Sequence, residues 1–178
     1  DLSCYGIDII EEDGRVYFPL TTAADLTGVS YSNTVYYGDK LYLNYGSGKP
    51  SVHWQGNFDK DIRDAGEIAF TYGELCFLMD NIYGDAPRCI LAESIRDNGL
   101  DATLESYSEE TKQVKELLNS DKTVDLVFGL DILSFMLCDG GHTDFYTDIT
   151  TDLQEATAYT ELRRIVAEEP DDIRAVLL

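Results

Sequence analysis

The chain has 178 residues and carries 13 Lys+Arg against 34 Asp+Glu, a formal net charge of −21. A surface this acidic repels phosphate backbones and anionic headgroups, which argues against a general nucleic-acid or membrane-surface binder. A hydrophobic content of 44% with 11% aromatics argues against disorder. The length suits one domain or two small ones. The charge is uneven: residues 1–60 hold 4 basic and 8 acidic side chains, and residues 61–178 hold 9 and 26.

Residues 1–56 read as a small β-rich module. Residues 5–10 alternate weakly, Glu11-Glu12-Asp13-Gly14 is a turn, and Arg15-Val16-Tyr17-Phe18 is a short strand. Pro19 opens a helical stretch over 20–26 that Gly28 is placed to end. Val35-Tyr36-Tyr37 and Lys40-Leu41-Tyr42-Leu43 flank Gly38-Asp39, which is a hairpin signal. Residues 45–56, rich in Gly, Ser and Pro, read as a linker.

Residues 57–178 read as a helical domain, so the expected class is α+β. Ile68, Tyr72, Leu75, Cys76, Met79 and Ile82 recur at three and four, which predicts an amphipathic helix over 65–83. Residues 100–104 read as a short turn. Ser108 before Glu109-Glu110 is a helix start, because the hydroxyl caps free amides and the acids suit the dipole. That helix runs to about Asn119. Residues 124–138 are apolar nearly all round and predict a central buried helix. Thr151 and Gln154 resemble a capping box before a helical face of Leu153, Ala156, Tyr159, Leu162 and Val166, and a last helix follows Pro170.

No apolar run reaches the roughly 18 residues that span a bilayer, so no membrane span is expected. The sequence begins at Asp1 without a basic-then-apolar leader and ends on Ala175-Val176-Leu177-Leu178. Both ends are expected to be processed or cut, with a leader removed or the piece excised. Cys4, Cys76, Cys89 and Cys138 form no CxxC pair, which gives no support to a zinc ribbon or a thioredoxin-type site. Cys76 and Cys138 sit in apolar helical runs and read as buried thiols. A disulfide remains open, and the sequence does not choose its partners.

The segment with chemical content is Cys138-Asp139-Gly140-Gly141-His142-Thr143-Asp144-Phe145, directly after the most hydrophobic helix. Two glycines allow a sharp turn and a close approach of another chain. A His on such a turn projects into a cleft, and Asp139 or Asp144 can orient its ring to make it a general base. The same residues also make a helix cap, with Gly140 or Gly141 at the C′ position and His142 at the negative end of the helix. Taken alone, the spacing favours the cap.

Residues 124–130 running into Asp139-Gly140-Gly141-His142-Thr143 resemble the segment before the catalytic core of the tricorn and C-terminal-processing serine peptidases. The likeness is greatest to exported members from gut Firmicutes. Residues 71–84 and Glu109-Glu110-Thr111-Lys112 are similar to the same family in the same order. Asp13-Gly14-Arg15-Val16-Tyr17-Phe18-Pro19-Leu20 resembles the small modules related to the copper amine oxidase N-terminal domain, which precede catalytic domains in exported bacterial proteins.

The resemblance implies that His142 is the base to a serine further along, with Asp139, Gly140, Gly141 and Thr143 shaping its turn. In the C-terminal-processing branch a downstream Ser/Lys pair serves instead. The extra glycine departs from the commoner Asp-x-His-Thr spacing. No Gly-x-Ser-x-Gly elbow occurs in these 178 residues, and Ser134 lies inside the buried helix, out of reach of a base. The expected function is the non-catalytic N-terminal portion of an extracellular or cell-surface serine-type peptidase. It would support or cover the peptide cleft and meet peptide or protein substrates through a catalytic domain outside these residues. No cofactor and no metal are expected: His53 and His142 are too few for a histidine metal site. Glu168-Glu169-Pro170-Asp171-Asp172 lacks the spaced ligands of a calcium loop. His53 reads as a surface residue against Trp54. The alternative is a stand-alone extracellular peptide- or glycan-binding module using Tyr31, Tyr36, Tyr37, Tyr42 and Tyr45, although such residues more often form cross-strand pairs in a small sheet.

Overall fold

The computed structural model describes residues 1–27, 34–37, 40–43, 62–84 and 89–137, and their architecture is α+β. A 3-10 turn, Leu2–Tyr5, leads into the hairpin β1 (Ile10–Glu12) and β2 (Arg15–Tyr17), then helix α1 (Leu20–Thr27). A second antiparallel hairpin pairs β3 (Thr34–Tyr37) with β4 (Lys40–Leu43). Five helices follow: α2 (Ala65–Asn81), α3 (Ala92–Asn98), α4 (Leu100–Ser106), α5 (Glu109–Leu118) and α6 (Thr123–Leu137).

The first hairpin turns more tightly than its sequence suggests. Glu11 and Glu12 belong to β1, and Asp13-Gly14 alone make the turn, with Glu12 opposite Arg15. Both turn residues have positive φ, 52° and 72°, which is the two-residue geometry that matches strand twist. The second hairpin has the expected register, Tyr37 opposite Lys40. Gly28, the linker over 45–56, Cys138 and everything expected beyond residue 137 lie outside the described residues.

The helix starts follow from their caps. Asp64 accepts from the Gly66 and Glu67 amides at 2.7 and 2.9 Å, and Glu67 reaches back to the Asp64 amide at 2.9 Å. Ser108 caps α5 as its sequence suggests, with Thr111 completing a reciprocal pair. The stretch over 100–104 is not a turn but part of α4, and α3 precedes it unannounced. Both are seven-residue helices separated by Gly99, too short to show a clear 3.6-residue period.

The helices close over one apolar core. Leu75, Cys76 and Met79 from α2, Ile95 from α3, Leu100 and Leu104 from α4, Val114 and Leu118 from α5, and Leu133 and Leu137 from α6 are buried together. Each such leucine contributes about 1.5–3 kcal/mol of burial. Helix α6 is less enclosed than its composition suggests. Leu126, Leu130, Ile132 and Met136 are only partly buried, and Phe135 is 56% exposed. The N-terminal segment is joined to α2 by its 3-10 turn and by α1. Its 3-10 turn packs on α2 at Gly73, where an added Cβ would meet the Tyr5 carbonyl. Tyr5 and Phe77 stack edge to face at 5.6 Å.

Candidate functional site

The residues singled out for chemistry, Asp139, Gly140, Gly141, His142 and Thr143, lie outside the described residues, as do His53, Trp54 and the acidic run 168–172. The described helix nearest to them in sequence is α6, which ends at Leu137, one residue before Cys138. Ser134 is spoken for by its own helix, its hydroxyl donating to the Asp131 carbonyl at 2.9 Å. Cys76 and Cys89 are buried and Cys4 is exposed, and none of the three is bridged.

A polar cluster joins α2, α4 and α5. Tyr72 donates its hydroxyl to Asp101 at 2.9 Å, and the Lys115 ammonium bridges Asp101 at 2.9 Å and Glu105 at 3.1 Å. Burial pushes the Tyr72 phenol well up, and the neighbouring Cys76 and Asp101 add to this. Burial likewise pushes the Cys76 thiol up to about 12, reinforced by the Asp80 and Asp101 carboxylates. The hydrogen bond from Lys115 lowers Asp101, with burial opposing it. Burial pulls Lys115 down, but its bonds to Asp101 and Glu105 outweigh that and leave it raised. At neutral pH the cluster is therefore a thiol, a phenol and an ion pair. Neither potential nucleophile is ionised, and the arrangement clamps three helices.

Three further contacts do the same kind of work. Asp80, near the end of α2, accepts from the Leu100 amide at 2.7 Å and the Tyr5 hydroxyl at 3.1 Å. It supplies α4 with the cap that Gly99 cannot provide. Glu74 accepts from Thr21 and Thr22 at 2.8 and 2.6 Å, tying α1 to α2. Arg63, 8% exposed, donates through Nη2 to the carbonyls of Leu118 and Ser120 at the end of α5, while its Nε and Nη1 are buried without a hydrogen-bond partner. Burial lowers its pKa, and Glu67, Asp121 and Asp125 oppose the shift.

Sequence reasoning did not single out these groups. Tyr72 reads as part of an apolar helix face, and Asp101 and Lys115 lie on helices whose contact no short-range spacing announces. Among the described residues, no group of three or more His, Cys, Asp or Glu is placed to hold a metal, and no helix is long and apolar enough to cross a membrane. Comparison of the chain with protein-family models, curated proteins and solved structures gives no match.

Proposed function

We propose that the chain is the non-catalytic N-terminal portion of an exported serine-type peptidase of the tricorn and C-terminal-processing kind, with helices that support or cover the peptide cleft. One observation carries the reading. The three segments that resemble that family fall on α2, at the start of α5 and on α6, and all three helices contribute to one core. A shared core makes them a single supporting body, and the Asp139-Gly140-Gly141-His142-Thr143 segment follows α6 directly in the sequence. His142 then acts as base to a serine supplied downstream, and Asp139, Gly140, Gly141 and Thr143 shape its approach.

Peptide hydrolysis by the protein that carries this chain together with its downstream residues tests the proposal. His142→Ala is expected to lower kcat by about a thousandfold or more with KM little changed, as for loss of a catalytic base. The 178-residue chain alone is expected to turn over no casein or peptide. Hydrolysis by that chain, abolished by His142→Ala, contradicts the proposal. So does a reading frame that continues from Leu178 without a serine-peptidase core.

A further inference from the structure

The apolar residues of the first hairpin do not join the core. Ile9, Ile10, Val16, Tyr17 and Phe18 all count among the exposed large hydrophobics, with Ile10 at 57% and Val16 at 59%. A two-stranded hairpin is marginal by itself, and three exposed apolar side chains on its strands with two more flanking them ask for a further partner. The hairpin also has unused backbone. With Asp13-Gly14 as a two-residue turn, Glu12 and Arg15 exchange hydrogen bonds, and the next pair, Glu11 and Val16, turns its N–H and C=O groups outward. Among the described residues, no backbone hydrogen bond outside helices and strands involves Glu11 or Val16. The charge is one-sided: Asp8, Glu11, Glu12 and Asp13 surround a single base, Arg15.

We propose that the β1–β2 hairpin is a docking site for an extended, basic segment of a partner protein. The partner adds as a third strand beside β1, its apolar side chains covering the Ile10–Tyr17 pair on one face and its Lys or Arg residues meeting Glu11 on the other. Main-chain bonds supply affinity, and the alternation of apolar and basic side chains supplies selectivity. The chain's net charge of −21 disfavours a second copy as the occupant. This inference is independent of the peptidase reading, because it uses no residue of the His142 turn.

The test titrates the full chain with a capped peptide of about eight residues alternating lysine and valine, long enough to span a typical strand. Saturable binding with shifts of the residue 9–18 amides is expected. Two controls separate strand addition from general attraction to an acidic protein. The same peptide N-methylated at alternate residues keeps its charge but cannot pair, and it is expected to bind at least about tenfold more weakly. The Glu11→Lys/Glu12→Lys variant, altered only at exposed positions, is expected to keep its helical circular dichroism and to lose at least about tenfold in affinity. Three results overturn the proposal. One is the absence of saturable binding. Another is equal binding of the N-methylated peptide or by the variant. The third is a molecular mass that rises with protein concentration through this hairpin.

Discussion

The first hairpin and the helical core use apolar residues in opposite ways. In β1 and β2, Ile10, Val16 and Tyr17 face solvent. In α4 to α6, Leu100, Leu104, Leu118, Leu133 and Leu137 are wholly enclosed. The two regions also differ in polar economy. The helices are fastened by reciprocal caps, an Asp80 cap borrowed from another helix and the Tyr72–Asp101–Lys115 clamp. Among the described residues, the hairpin has its own ladder and little else. Stability therefore resides in the helices, and the hairpin is free to interact.

Core truncation should separate the regions most sharply. Leu133→Ala is expected to lower the unfolding free energy by about 3 kcal/mol. Phe135→Ala on the exposed side of the same helix, and Val16→Ala on β2, should each change it by less than about 0.5 kcal/mol. Urea titration followed by far-ultraviolet circular dichroism measures all three. Equal losses would break the comparison.

Arg63 comes next. Arg63→Ala strips the Leu118 and Ser120 carbonyls of their donor, with an expected loss of about 2 kcal/mol. Arg63→Met, which keeps an apolar stem and removes the two unpaired N–H groups, should lose less. Equal instability of the two variants would show that the apolar stem adds nothing and that the lost donor accounts for the whole effect.

Gly73→Ala probes the tightest of the junctions between the N-terminal turn and α2. Its new Cβ drives the Tyr5 backbone off α2, and an expected loss of about 1–3 kcal/mol should come with faster proteolysis before residue 20 and an intact α5–α6 pair. Loss of the whole helical fold would show instead that the N-terminal turn is integral to the core.

The smallest effect concerns pH. Asp101 is held below the usual aspartate range, chiefly by Lys115, so its contribution is present above that range and lost as pH falls through the lowered value. Lys115 is held above the usual lysine value, so its contribution is complete below that value and lost as pH rises through the raised one. Lys115→Met should flatten both limbs of a stability–pH curve. An unchanged acid limb would assign it to other carboxylates.

Much of the fold is legible where one helix or one turn decides the outcome. The spacing of Leu75, Cys76 and Met79, the Ser108 cap and the Gly38-Asp39 turn each act within a few residues, and α2, α5 and the second hairpin form where they point. What is less legible depends on contacts between distant residues. Helices α3 and α4 are held by a core and by Asp80 from α2, and α6 reads as uniformly buried although Phe135 finds no cover. The expected site at His142, and the tyrosines of 31–45 that would serve a binding module, lie on residues the structure does not describe, or whose side chains it does not describe. The clamp at Tyr72 is invisible in sequence because Asp101 lies 29 residues away on another helix.

Native-state hydrogen exchange of the full chain tests the contrast between the regions most directly. The amides of Leu118 and Leu133 are expected to exchange only through global unfolding, while the Ile10 and Tyr17 amides exchange orders of magnitude faster and slow when the lysine–valine peptide is added. Equal protection of hairpin and helices in the unliganded chain would contradict the account.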